Sequence, residues 1–321
     1  MSLSPDVKLL QLLFEAAPEA LSPATLAQRA RLSESDLQLR IGKLQLVGYD
    51  IELHPHKGYS LRGAADVLIA DEILARLGEK IPGLSVLVFN ETRSTNDLAH
   101  RHGREGHPGP LLILAETQTH GRGRQGRAWN SSPRLGLWMS LLLRPEIPHL
   151  QTQRLTIQSC LALHRSIRKQ CHIHADIKWP NDLLYKGKKI AGILTEAHLE
   201  GTTLRYAIVG IGCNIHHQLK DFPQELQSIA GSLALAGGNK LRRIDLLLEF
   251  LNQFHQVQLE TWDAVRDEWK AHCLNMGQSI TMQLRGQIIT GQMIDMDEDG
   301  ALLFRHASGT LETIHTGEIL P

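Results

Sequence analysis

The sequence predicts an α+β protein of three successive modules: helices closed by a hairpin (1–64), a larger α/β module with a mixed sheet (65–272) and a short all-β tail (273–321). Three observations carry this reading. At 321 residues the chain exceeds the usual span of one domain. Helix-start signals and helical apolar spacing dominate the first 50 residues, whereas from Ala65 strand-like and helix-like stretches alternate. Beyond Met276-Gly277 only short alternating segments remain, separated by turns such as Asp299-Gly300.

In the first module, Val7, Leu9, Leu10, Leu12, Leu13 and Phe14 mark a helix over residues 7–17. Ser22-Pro23 joins a capping hydroxyl to a proline at the first helical position, giving a short helix to about Ala30. After a turn at Arg31-Leu32, Ser33 with Asp36 makes a start resembling a capping box, and Leu37, Ile41 and Leu44 continue the stripe to Val47. Tyr49 to Leu53 alternates as a strand, and a Pro55/Gly58 turn with Tyr59-Ser60-Leu61 closes a hairpin. Three helices, a tight turn between the second and third, and a hairpin describe a winged helix-turn-helix. In such a module Ser33, Ser35, Gln38, Arg40 and Lys43 are the candidate DNA contacts. Against DNA binding, seven Lys/Arg between residues 1 and 63 are matched by seven Asp/Glu, and Glu34 and Asp36 open the third helix, where a phosphate-lined groove favours cations. A DNA-binding role and a structural or protein-contact role both stand.

The second module is predicted to run through a helix near Asp66 to Leu77, a strand at Ser85 to Phe89, a helix opening at Ser94 and a strand at Leu111 to Thr117. A glycine–arginine loop, a strand at 135–143 and a long helix from about Gln151 to Lys169 follow. Further strands lie around Ile177, at Lys189 to Thr195 after a Lys186-Gly187 turn, and at Leu204 to Gly210, before a helical region at 241–272. So many strands in succession exceed what a doubly wound fold shows. In the tail, Ser279 to Leu284, Ile288 to Ile294, Ala301 to Arg305 and Leu311 to Ile314 describe a small SH3-like β-barrel.

Composition narrows the function classes. Formal net charge is zero, so nothing global argues for nucleic acid or an anionic membrane. No apolar run approaches the roughly 20 residues that span a bilayer, and Met-Ser-Leu-Ser-Pro-Asp lacks a secretory start, so a cytoplasmic location is expected. Cys160, Cys171, Cys213 and Cys273 are scattered and read as reduced thiols. His54-Pro-His56 and His216-His217 lack metal-site spacing, and no metal is assigned to the protein itself.

The most informative stretch is Gly121-Arg122-Gly123-Arg124-Gln125-Gly126-Arg127, followed by Trp129. Its glycines let the backbone lie against a ligand, and its arginines offer planar charged forks to phosphate oxygens. It satisfies Gly-x-Gly-x-x-Gly, but a dinucleotide site also needs a helix opening on the third glycine and an acid about 20 residues on. Here Trp129-Asn130-Ser131-Ser132-Pro133 reads as loop. A Walker loop would end in Gly-Lys-Ser or Gly-Lys-Thr, and this one ends in Gly126-Arg127-Ala128.

Arg93-Ser94-Thr95-Asn96, Lys178-Trp179-Pro180-Asn181-Asp182, Lys188-Lys189-Ile190-Ala191-Gly192-Ile193-Leu194 and Gly210-Ile211-Gly212-Cys213-Asn214, together with Gln118 and the loop, resemble the biotin protein ligases. The order of modules resembles the bifunctional, repressor form of that family. The resemblance implies a central ligase domain and a two-step reaction: biotin and ATP give biotinyl-5′-adenylate, and a lysine of the biotin carboxyl carrier protein of acetyl-CoA carboxylase takes the acyl group. It implies catalytic roles for Lys189, Arg122, Arg124 and Asp182, and biotin contacts from Ser94, Thr95, Asn96, Gln118, Arg122, Gly123, Arg124 and Lys189. Gly121, Arg127, Trp129, Asn181 and Asn214 would meet ATP or the adenylate. Magnesium would arrive with the nucleotide. Operator DNA of biotin genes and a homodimer formed with adenylate bound complete the implied partners; no membrane is implied. Arg93, Gly136, Trp138 and Cys213 depart from the residues usual in the family. A loop this rich in glycine is expected to order only around a ligand.

Overall fold

The structure, a computed structural model, describes residues 4–238 and 241–320. They pack as two compact units: one runs to Pro82 and includes Arg242–Ile244, the other comprises Gly83–Leu241 and Asp245 onward.

In the first unit a serine caps each of the first three helices. Ser4 Oγ accepts the Val7 N–H (3.2 Å) ahead of α1 (Pro5–Ala16). Ser22 accepts the Thr25 N–H (3.1 Å) ahead of α2 (Pro23–Ala30), and Ser33 the Asp36 N–H (3.1 Å) ahead of α3 (Glu34–Leu46). Each satisfies one of the orphan donors of a first turn. Arg31, left-handed at φ 58°, ends α2 and makes the tight turn. Strands β1 (Asp50–His54) and β2 (Gly58–Gly63) form an antiparallel hairpin with Leu53 opposite Tyr59. Leu10, Leu13, Leu26, Leu37, Ile41, Tyr49 and Leu61 share one buried core. The helix expected from Asp66 begins later, as α4 (Ala70–Leu77), because the Asp66 carboxylate accepts the backbone N–H (2.8 Å) and Nε–H (3.1 Å) of Arg243 instead of capping a turn. Glu72, fully buried, accepts the Tyr49 hydroxyl (2.5 Å) and pairs with Arg76 and Arg242, both at 2.9 Å.

The second unit is organised by a seven-stranded sheet in the order β3-β4-β5-β9-β8-β7-β6. Strands β3 (Ser85–Thr92) and β4 (Leu111–Gln118) are parallel, joined by α5 (Thr95–Arg104). The remaining strands, β5 (Gly136–Leu143), β6 (Asp176–Lys178), β7 (Asp182–Tyr185), β8 (Lys188–Glu200) and β9 (Thr203–Asn214), pair antiparallel. The sheet is therefore mixed. Lys186 (φ 48°) and Gly187 (φ 76°) make the two-residue turn between β7 and β8, with the positive φ values that suit a hairpin's twist. Helix α6 (Thr152–Cys171) packs against β8 and β9, burying Leu155, Ile157, Leu161 and Leu163. Helices α7 (Arg243–Leu259) and α8 (Trp262–His272) follow.

The tail corrects one expectation. Strands β10 (Ser279–Leu284), β11 (Gln287–Met296), β12 (Leu302–His306), β13 (Leu311–Ile314) and β14 (Glu318–Ile319) form an antiparallel sheet in the linear order β13-β12-β11-β10-β14. A closed barrel needs its outermost strands to pair around the full turn. Here the edges are strands of four and two residues, and β14 reaches only Met282 and Gln283. The expected SH3-like β-barrel is thus an open five-stranded sheet. The loop after Gly126 continues without a helix to β5, in agreement with rejection of the dinucleotide reading.

Candidate active site

The parallel pair β3–β4 sets the first half of the site. Because α5 starts immediately after β3, Ser94-Thr95-Asn96 stands beside Gln118 at the end of β4. Gln118 Oε1 accepts the Thr95 N–H (2.8 Å) and hydroxyl (3.1 Å), while its Nε2 donates to Ser131 Oγ (2.9 Å). Gln118 thus serves the first turn of α5; Ser94, at the cap position, makes no side-chain cap and instead accepts from Arg122 (3.4 Å). Asn96 is buried, donating from Nδ2 to Glu196 Oε2 (2.6 Å) and accepting at Oδ1 from Ser140 (2.5 Å).

The floor is set by strand alternation. Ser140 on β5 lies opposite Gly210 on β9, which lies opposite Leu194 on β8; Trp138, Gly212 and Gly192 form the next row. Ser140, Gly192, Gly210 and Gly212 face the site, and a register shift between β7 and β8 brings Lys189 to the same face, where a Cβ at Gly192 would meet both its side chain and the Trp129 ring at 3.1 Å. A Cβ at Gly210 would meet Asn96 at 2.3 Å, and one at Gly212 would meet the Trp129 ring at 2.4 Å, so the glycines admit those side chains. Gly136 admits Trp138 in the same way: a Cβ at Gly136 would stand 2.3 Å from the Trp138 ring. Cys213 faces the interior, where burial pushes its thiol up.

The glycine–arginine loop closes on itself: Trp129 N–H donates to Gly121 O (2.9 Å) and Gly123 N–H to Arg127 O (2.7 Å). Its tip, Gln125-Gly126, is left-handed (φ 56° and 73°). The three arginines go to different places. The Arg122 guanidinium pairs with Asp97 and with Glu196 (3.1 Å). Arg124 donates to Asn181 Oδ1 (3.3 Å), Thr316 Oγ1 (2.7 Å) and Gly317 O (3.2 Å); burial lowers its pKa against the opposing pull of Asp182 and Glu318. Arg127 pairs with Glu318 and donates to Gln125 (3.1 Å). The tail of the chain therefore holds the far side of the loop.

Lys189, the second residue of β8, places Nζ 2.7 Å from Asp182 Oδ1 and 5.2 Å from the Trp129 ring centroid. Asn181 Nδ2 donates to Ile193 O (2.7 Å), and Asn214 Nδ2 to Gly231 O (2.9 Å). Glu196 is the most perturbed carboxylate here. Burial alone would raise it, but hydrogen bonds from His100 and Asn96 and the charge of Arg122 pull it down to about 2. Among the described residues no group of three side chains suited to a metal ion stands together. On α3, Arg40 pairs with Asp6, and Ser33 donates to Asp36 (2.7 Å) and lies 2.9 Å from Ser35 Oγ, while Gln38 and Lys43 are exposed.

Sequence reasoning missed Asp97, Ser131, Ser140, Glu196, Thr316 and Glu318. Counting by two from Gly192 reaches Glu196, a signal available without coordinates; Thr316 and Glu318 carry no comparable one.

Residues 88–214 match the biotin/lipoate A/B protein ligase family and residues 276–320 the biotin protein ligase C-terminal domain. The chain is 33% identical over 315 residues to the bifunctional ligase/repressor BirA of Bacillus subtilis, covering 97% of each, and 28% identical over 318 residues to that of Escherichia coli, covering 98% of this chain and 96% of the relative. Biotin protein ligase from Aquifex aeolicus, solved in complex with biotin and ATP, superposes with a TM-score of 0.61 at 27% identity, over 74% of this chain and 97% of that one. A likeness to the Bacillus ligase that runs the length of both chains has one reading: the chain belongs to the biotin protein ligase family.

Proposed function

We propose that this chain activates biotin with ATP and transfers it to a lysine of a biotin carboxyl carrier protein. In the first step a biotin carboxylate oxygen attacks the α-phosphate, a phosphorus–oxygen bond forms and pyrophosphate leaves. In the second the lysine amine attacks the acyl carbon of the adenylate, an amide forms and AMP leaves. Bringing a carboxylate against a polyphosphate opposes like charges, about 4 kcal/mol per unit pair at about 4 Å with an effective dielectric of about 20. Lys189 and Arg124 supply the offsetting charge and stabilise the developing transition state. Ser94, Thr95, Asn96 and Gln118 offer donors and acceptors to the ureido group, and Trp129, Asn181, Asn214, Gly121 and Arg127 form the nucleotide side. Magnesium is assigned to the phosphates of the nucleotide, and no residue of the protein is proposed to hold it. The observation that carries the reading is the ion-paired Lys189 on the sheet face that also presents the Asn96 network. Biotin-dependent exchange of pyrophosphate into ATP tests it, and no exchange at micromolar enzyme sinks it.

Asp182 is proposed to orient Lys189 and to accept a proton from the incoming amine. An Asp182→Asn enzyme with an unchanged transfer rate removes that role. Domain limits at 64/65 and 272/273 separate the functional modules in this reading. The first is proposed to be a winged helix-turn-helix binding operator DNA of biotin genes, and the protein to dimerise with adenylate bound. The second reading, a ligase whose first module does not bind DNA, draws support from the Arg40–Asp6 pair and the acidic start of α3. Gel shifts on upstream and biotin-operon DNA, with and without biotin plus ATP, decide between them, and sedimentation under the same conditions reads the dimer.

A further inference from the structure

We propose that Glu196 is a positioning residue of the biotin site: its carboxylate fixes the amide of Asn96 and, through Arg122, anchors the start of the glycine–arginine loop. The inference rests on the ligase reading above. Glu196 lies on β8, and its partners come from two other parts of the fold. Oε2 accepts from Asn96 Nδ2 (2.6 Å) and Arg122 (3.1 Å), Oε1 from Arg122 (3.3 Å), and His100 Nε2 stands 3.4 Å from Oε2. Asn96 and His100 are one turn apart on α5, whereas Arg122 opens the loop.

An ionised carboxylate only accepts hydrogen bonds. It therefore draws the amide nitrogen of Asn96 toward itself and leaves Oδ1 to Ser140. The amide has one direction, with one Nδ2 hydrogen and one Oδ1 lone pair left unassigned. A cyclic urea presents both donors and an acceptor, so the direction of that amide decides whether it is matched or opposed. The same carboxylate takes Arg122, whose guanidinium also meets Asp97 and Ser94. These three acceptors fix the Arg122 guanidinium at the start of the loop. The hydrogen bonds and charge around Glu196 keep it ionised throughout the neutral range.

The test measures biotin binding by calorimetry and the KM for biotin and for ATP in pyrophosphate exchange, for the wild type, Glu196→Gln and Arg122→Lys. Glu196→Gln is expected to weaken biotin binding at least roughly tenfold, the scale of one charge-assisted hydrogen bond, and to leave the KM for ATP within about threefold, because Arg124 and Arg127 at the far side of the loop stay held by Thr316 and Glu318. Arg122→Lys keeps the charge but loses the planar fork; it weakens binding in the same direction and adds little to Glu196→Gln, since both report one anchor. A wild type that binds no biotin overturns the ligase reading and this inference with it. A wild type that binds while Glu196→Gln binds within about twofold overturns the inference alone, as does an equal loss for biotin and ATP, the mark of an ion pair that only supports the fold. If Glu196→Gln does not fold, Glu196→Asp, which keeps the charge but draws it back by one methylene, decides on the same thresholds.

Discussion

Replacing Gly210 by alanine should damage biotin recognition without touching a residue that meets biotin through its own side chain. A Cβ at this position would lie 2.3 Å from Asn96 Oδ1 and 2.9 Å from both Cγ and Nδ2. Gly210 sits mid-sheet, opposite Ser140 on one side and Leu194 on the other, so its backbone has no direction of retreat. The amide of Asn96 must move instead, by about 1 Å to reach ordinary contact, and it sits in hydrogen bonds of 2.5 Å to Ser140 and 2.6 Å to Glu196. Losing one neutral and one charge-assisted hydrogen bond costs about 2–4 kcal/mol, or roughly 30- to 1,000-fold in the apparent affinity for biotin. Pyrophosphate exchange over a biotin titration reads that loss, and circular dichroism reports whether the sheet survives. A folded Gly210→Ala enzyme with a KM for biotin within about threefold of wild type refutes the account of the glycine floor.

Lys189→Gln should reduce the rate of pyrophosphate exchange by roughly 10²- to 10³-fold, the scale of one lost charge at a developing anion, with a smaller change in the KM for biotin; a reduction below about tenfold refutes its role. The glycine–arginine loop, held at its far side by Thr316 and Glu318, should be cut by trypsin after Arg124 and Arg127 more slowly with biotin plus ATP than without. Equal rates remove the gating idea. Acid should destabilise the protein in two windows. Burial pulls His164 and His217 from 6.5 down to about 4, so their neutral forms favour the folded state fully above 6.5, and that contribution is lost as pH falls through 4. The contribution of Glu196 is present above 4.5 and lost as pH falls through about 2. A melting-temperature series that stays flat from pH 6.5 to 4 contradicts the first window, and an unchanged lower limb in Glu196→Gln contradicts the second.

The parts of the site legible in the sequence are those that depend on neighbours along the chain. Ser22-Pro23 and Ser33 start helices because capping needs only the next turn, Lys186-Gly187 makes its hairpin because the backbone demands positive φ there, and the loop declares itself by its arginines and glycines. Asp66 misled because its partner, Arg243, is 177 residues away. The tail read as a barrel because alternation reports strands but not whether the last one returns to the first.

What the sequence by itself determined was the serine-capped helix starts, the strands of the mixed sheet and the stretches that resemble the family, since each follows from local propensity, period or motif. Only the tertiary structure decided how those stretches meet. It brought Glu196 to Asn96 across 100 residues and Thr316 to Arg124 across 192. It also turned Gly210 and Gly212 into the floor beneath Asn96 and Trp129. Strand order and register settle such contacts, and these are global properties of the sheet that no window of the sequence contains.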